Sequence, residues 1–460
     1  MDEMSKIKLN FSFLRTIHHY VNSGMLLIVV VILAMTIANS PWKEAYAQLW
    51  THEVHLQIGE INLFSHNGHH MSLMNFINDA LMALFFFAVG LEIKRELLVG
   101  ELSSPKKAML PIFAAFGGMI VPVALFFLFS NEYPEVNGLP IPMATDIAFS
   151  LGILSLFGKR VPISLKIFLT TLAVVDDIGG IIIIALKYSS GIEYSYLLVA
   201  VAVYGILILG GRLKIYSKVF YLSFGFVIWT LFLQSGIHPT IAGVLVAFTI
   251  PARPKLDVYK YINRIKTCIY EFPTDQISDG RHVILTSQQI DSLKRVEESS
   301  DHVISPLQDM EDNLHSFVAY LIMPLFAFAN AGVDLEGITL NNVFEGVSLS
   351  VIAGLFLGKF IGIFSFSYLF IKFTHSSLTS HVNFNHIIGI SFLGGIGFTV
   401  SLFIANLSYA DIPEVGTNLL NQAKVGIIIG SLLSGLVGYI WLNKSLPKNL
   451  DEMAEINGEE

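Results

Sequence analysis

Twelve apolar runs, each close to the length of a membrane-crossing helix, follow one another along this 460-residue chain. Their approximate limits are 22–39, 73–93, 107–130, 139–157, 162–186, 194–211, 216–233, 236–250, 315–333, 346–371, 386–407 and 422–442. About 20 mostly apolar residues in a helix cross the ~30 Å hydrocarbon layer of a bilayer. Only 14% of the residues are charged, against about a quarter in soluble domains. So few charges cannot cover so much apolar sequence with a water-facing surface. A disordered chain is excluded too, because such chains are polar. The expected fold is an all-α polytopic membrane protein of about twelve transmembrane helices. The lone cysteine, Cys268, leaves no disulfide framework and no cysteine metal site. A net charge of −8 without a basic patch argues against nucleic acid as a partner, and membrane lipid is the expected one.

Orientation follows the Lys and Arg residues, which gather on the cytoplasmic side of a membrane, chiefly in short loops. With the N-terminus inside, 24 basic residues fall on the cytoplasmic side and three, Lys43, Lys187 and Lys424, on the other. Without the long connection 251–314 the split is still 16 to 3. An even number of spans then returns the C-terminus to the cytoplasm. The chain divides into a cytoplasmic segment 1–21, a transmembrane region 22–446 and an acidic cytoplasmic tail 447–460. Residues 1–39 are too long in both their charged and apolar parts for a cleavable signal, and read as a span.

Three connections are longer. Residues 53–64 alternate polar and apolar around Gly59, the pattern of a short hairpin. Loop 251–314 mixes acids, bases and serine and reads as a partly ordered cytoplasmic insertion. The tail reads as solvated and disordered. None suggests an enzymatic domain. His66, His69 and His70 have metal-like spacing but no partner acid or cysteine pattern, and read as a wet loop.

Ionisable groups inside a membrane are costly and point to function. Four carboxylates stand well within spans, Asp79, Asp146, Asp176 and Asp177, and Lys359 is the one internal base. Adjacent residues on a helix point about 100° apart. One of Asp176 and Asp177 can therefore face a cation cavity while the other reaches Lys359. Two spans look interrupted. Pro140 and Pro142 precede Asp146 in the fourth, and Gly394, Gly395 and Gly397 break the eleventh. Interrupted spans in corresponding halves mark transporters built from inverted repeats, with a site where the broken helices cross. Half-helix N-termini are positive and C-termini negative. Asp146 is suited to neutralise the former and Lys359 the latter.

The motifs Asn78-Asp79-Ala80-Leu81-Met82, Gly90-Leu91-Glu92-Ile93-Lys94-Arg95-Glu96-Leu97, Ala144-Thr145-Asp146-Ile147-Ala148-Phe149, Val175-Asp176-Asp177-Ile178-Gly179, Gly236-Ile237-His238, Pro324-Leu325-Phe326-Ala327-Phe328-Ala329-Asn330-Ala331-Gly332, Gly358-Lys359 and Gly395-Ile396-Gly397-Phe398-Thr399 occur in order along the chain. In these it resembles the NhaA family of sodium/proton antiporters. The resemblance implies that Asp177 is the principal sodium and proton site, so that Asp177 with Asp176 meets the cation. It implies that Asp176 pairs with Lys359 and shares in proton exchange, and that Thr145 and Asp146 lie at the helix crossing. Glu92, Arg95, Glu96 and His238 match positions linked to pH response. The hairpin matches strands that form a homodimer, and a bacterial inner membrane is the implied location. No cofactor is implied. Loop 251–314 is longer than the family's usual connection.

The combined reading is a secondary antiporter that exports Na+, and with it Li+, against H+, electrogenically and under pH control. A buried carboxylate is disfavoured in its charged form and holds either a proton or a hard cation. A sodium-coupled symporter of a small organic substrate on a related fold is the alternative. An intramembrane aspartyl protease would carry an acid after Gly397, where Phe398 stands.

Overall fold

The computed structural model describes residues 23–447 apart from 55–56, 59–60, 63, 67–68, 190, 254–257, 273–285, 335–342, 375–381, 411 and 414. The expectations for residues 1–21 and for nearly all of the tail lie outside these residues. Helix α1 (Ser23–Ala38) is followed, at a 109° bend, by α2 (Lys43–Thr51). Five strands of two to four residues come next: β1 (Glu53–Val54), β2 (Gln57–Ile58), β3 (Ile61–Asn62), β4 (Ser65–His66) and β5 (His69–Ser72). The antiparallel pair β2–β3 falls within the alternating segment. β1 does not extend it but pairs with β5, Glu53 opposite Ser72 and Val54 opposite Met71. The chain is drawn back there because the Leu73 N–H donates to the His52 carbonyl at 2.7 Å. β4 sets His66 opposite His69.

Ser72 caps the next helix, α3 (Leu73–Leu98), by accepting from the Asn75 N–H. Then come α4 (Pro105–Phe129), the fourth span in two pieces (Glu135–Met143 and α5, Ile147–Ser155), α6 (Ile163–Lys187), α7 (Tyr194–Arg212), α8 (Lys218–Ser235) and the short α9 (Thr240–Thr249). The eighth expected span, 236–250, yields only the ten residues of α9. Gly236 adopts a left-handed conformation (φ 79°) and Pro239 stands at the cap, so the helix cannot begin earlier.

The long connection folds α10 (Val258–Tyr270) and α11 (Ser287–Val303). α12 (Pro306–Asn330) begins within that connection, nine residues before the expected span, because Ser305 caps it and Pro306 takes the first helical position. The rest is α13 (Gly346–Thr374), the bent pair α14 (Phe384–Leu393) and α15 (Phe398–Tyr409), and α16 (Gly416–Ser445).

Among the described residues, eight helices are long and apolar enough to cross a membrane, or eleven if each of three bent pairs counts as one. Exposed side chains such as Val29, Ile32, Leu198, Val201, Leu432 and Leu436 stud their outer faces, as lipid-facing positions require. The protein is a multi-pass, mostly helical membrane protein.

Inside, small residues set the spacing. α4 and α13 cross backbone to backbone at Gly117 and Gly362; a Cβ on either would collide with the other's carbonyl oxygen. Further along α13, Cβ atoms on Gly354 and Gly358 would meet Pro142 Cβ at 2.6 Å and Pro122 Cα at 2.7 Å. α13 is thus drawn against both α4 and the break in the fourth span. Among the described residues, three helices carry a wider π-helical turn: Ile77–Leu81 in α3, Val318–Ile322 in α12 and Ala353–Gly358 in α13. Such turns recur at functional positions. The first contains Asp79 and the third ends immediately before Lys359.

Candidate functional site

Two bent helix pairs, Glu135–Met143 with α5 and α14 with α15, meet at their breaks. The first bends by 40° between Met143 and Ile147, and the second by 44° between Leu393 and Phe398. Each break frees backbone donors and acceptors inside the protein, and these must find partners. Asp146 serves both N-termini. Its Oδ1 accepts from the Phe149 N–H of α5 at 3.0 Å. Its Oδ2 accepts from the Thr399 N–H and Oγ1 of α15 at 3.1 and 2.6 Å. Its own N–H donates to the Ile396 carbonyl at 2.6 Å.

The C-terminal carbonyls are met by hydroxyls instead. Ser401 on α15 donates to the Ile141 carbonyl at 2.8 Å, and Ser150 on α5 donates to the Leu393 carbonyl at 2.9 Å. The exchange is almost reciprocal. Neither serine stood out in the sequence, though each lies four residues beyond its break, at Asp146 and at Gly397.

Lys359 contacts neither C-terminus directly. Its Nζ donates to Asp176 Oδ2 at 2.5 Å and to Thr145 Oγ1 at 3.0 Å. The Thr145 hydroxyl stands 2.8 Å from the same Asp176 oxygen and 2.9 Å from the Gly394 carbonyl, and its one proton serves one of them at a time. The link from Lys359 to the end of α14 therefore runs through Thr145. The pair Lys359–Asp176 is fully buried.

Asp177, one residue on, points to another side of α6 and is only 4% exposed. Asp177 Oδ1 and Asp176 Oδ1 are both buried without a hydrogen-bond partner. Buried polar atoms are nearly always satisfied. A buried acceptor-only carboxylate oxygen without a protein donor is suited to a proton or a hard cation. The structure thus brings together Thr145, Asp146, Asp176, Asp177 and Lys359.

Asp79 and His238 form a second group. His238 Nε2 lies 3.9 Å from Asp79 Oδ1, and its Nδ1 lies 2.7 Å from Thr240 Oγ1. Beside Asp79 runs a row of buried carboxamides. Asn330 donates to Asn78 Oδ1 at 2.9 Å, and Asn406 donates to Asn330 Oδ1 at 2.7 Å. The row joins α3, α12 and α15. Asn78 and Asn330 stood within recognised motifs; Asn406 carried no signal.

A third group gathers where α3 ends. Arg95 pairs with Glu96 at 3.0 Å and with Glu311 of α12 at 2.8 Å. Glu96 Oε2 accepts from the Glu101 N–H at 3.1 Å, and Lys94 donates to the Phe248 and Ile250 carbonyls that finish α9. Glu92 lies one turn earlier on α3, half-buried. Lys218 pairs with Asp309. Glu311 and Asp309 were hidden from the sequence reading in the long connection, whose last part proves to be helix. Lys424, counted there as an external base, is buried in α16, with 7% exposure.

The family model described as Na+/H+ antiporter 1 matches residues 14–442. The chain is 56% identical over 448 residues to a Na(+)/H(+) antiporter NhaA of Phocaeicola vulgatus, covering 97% of this chain and 99% of that protein. It is 53% identical over 442 residues to the protein of that name from Bacteroides thetaiotaomicron, with 95% and 99% coverage. For the Porphyromonas gingivalis protein of strain W83, also so named, the identity is 46% over 445 residues, with 96% and 98% coverage. The resemblance read from the ordered motifs thus holds over nearly the whole length, and the chain belongs to the Na+/H+ antiporter 1 family.

Proposed function

We propose that this protein is a secondary antiporter that carries Na+, and Li+, out of the cell in exchange for H+. The observation that carries the reading is the bare Oδ1 of Asp177 beside the buried Lys359–Asp176 pair, at the meeting of two broken helices. A buried carboxylate can hold either a proton or a hard cation with oxygen ligands, but not both. Alternating exposure of Asp177 to the two sides converts that competition into exchange. When sodium loads Asp177, Lys359 and Asp176 keep each other neutral. Proton transfer within that pair lets more than one proton move per sodium ion, so the cycle carries net charge and responds to membrane potential.

The surrounding architecture is that of twelve spans in inverted repeats, the fourth and eleventh interrupted and crossing near the midplane, with both termini in the cytoplasm of a bacterial inner membrane. Glu92, Arg95, Glu96 and His238 set the pH response. A homodimer forms through the extracytoplasmic β-strands.

The test is proton flux in liposomes holding the purified protein, with Na+, Li+ or K+ added at several pH values and an imposed potential. Na+ and Li+ should each release protons, K+ should not, and the rate should follow the potential. Flux that needs an added organic solute would point instead to symport.

A further inference from the structure

We infer that α10 is a membrane-surface helix that docks on anionic phospholipid headgroups of the bilayer in which the protein sits. α11 packs against α10, whose buried side falls on Tyr261, Ile265 and Cys268, one turn apart. A second apolar strip is left bare. Val258, Ile262 and Ile269 are 49%, 45% and 63% exposed, and at 100° per residue they lie within about 40° of one another around the axis. Tyr270 stands fully out at the helix end.

The charges choose the occupant. α10 carries Lys260, Arg264 and Lys266 and no acid, in a chain of net charge −8. None of the three forms an ion pair with a described residue. Its neighbour α11 carries Asp291, Glu297, Glu298 and Asp301 against Lys294 and Arg295. At 100° per residue Lys266 lies about 60° from the centre of the bare strip, Arg264 beyond the packed side and Lys260 opposite the strip; α10 as a whole is cationic, while α11 is net acidic in sequence. A cationic helix with a bare apolar strip and a terminal aromatic lies in the interface of an anionic membrane.

Its tether keeps it there. The Leu307 N–H donates to the Pro251 carbonyl at 3.3 Å, so the two ends of the connection meet where α9 and α12 end and begin. Val258 is seven residues from Pro251, at most ~25 Å of extended chain. The reach of α10 is therefore limited to the surface beside those helices.

The experiment uses the full chain with Cys268→Ser and one nitroxide, at Ile269→Cys on the bare strip or at Asn263→Cys on the polar side. The protein is placed in phosphatidylcholine vesicles with and without phosphatidylglycerol. Accessibility to oxygen is compared with accessibility to a water-soluble nickel complex. With phosphatidylglycerol, the ratio at position 269 should rise several-fold while that at 263 stays low. Reversal of the three charges by K260E, R264E and K266E should cancel the rise. Sodium-dependent proton flux, read on the same vesicles, reports separately on folding and on the exchange reading. Equal nickel accessibility at position 269 in both vesicles would overturn the inference. So would protection in lipid-free detergent that grows with protein concentration, which would mean that a second copy covers the strip.

Discussion

Lys359 Nζ and Asp176 Oδ2 stand 2.5 Å apart, with neither side chain exposed. Lys359 and one member of the adjacent acid pair thus compensate each other, while Asp177 Oδ1, like Asp176 Oδ1, keeps no hydrogen-bond partner. Removing one partner strands a buried charge, at a cost of about 3–5 kcal/mol. Lys359→Ala should lower thermal stability in detergent by that order. The double variant Lys359→Ala, Asp176→Asn should recover part of the loss. Losses that simply add would mean that the two groups are not coupled.

Asp146 caps two helices with one carboxylate. A cap removed from one helix costs about 1 kcal/mol, so Asp146→Ala should cost about twice that or more. Asp146→Asn retains an oxygen for one N-terminus and should cost less. Denaturation in detergent ranks the two, and an Ala variant as stable as the parent would contradict the shared cap.

Much of this was legible in the sequence. The breaks before Ile147 and Phe398 were visible because proline and clustered glycine cannot continue a helix, and the internal charges were visible because lipid makes them rare. What the sequence hid depends on distance in space. Asn406, Ser150 and Ser401 are ordinary polar residues, marked only by the backbone groups and carboxamides that the fold sets opposite them. Glu311 was hidden because helix α12 begins inside a polar segment that resembled a loop. The short length of α9 escaped because apolar content alone does not reveal the left-handed turn at Gly236.

The carboxamide row predicts a graded effect. Asn406→Leu leaves the Asn330 Oδ1 without its donor in a buried site, at about 1–3 kcal/mol. Asn406→Gln, which keeps the amide, should retain more stability. Leu and Gln variants of equal stability would show that packing alone matters at this position.

Glu311 ties α12 to Arg95 at the end of α3. Glu311→Gln mimics the protonated acid and weakens that tie at every pH. On the proposed reading, rising pH deprotonates Glu311, tightens its tie to Arg95 and favours transport, so the onset of transport should move to higher pH, with the maximal rate little changed. Flux profiles across pH check it; an unchanged onset would separate this cluster from pH control.

The most direct test of the exchange mechanism is sodium-driven proton flux in proteoliposomes carrying Asp177→Asn. Asparagine keeps the shape of the side chain but removes the carboxylate for which proton and cation compete. The variant should fold, insert and show no sodium- or lithium-dependent proton movement at any pH. Flux at the parental rate would place the exchange elsewhere and contradict the mechanism.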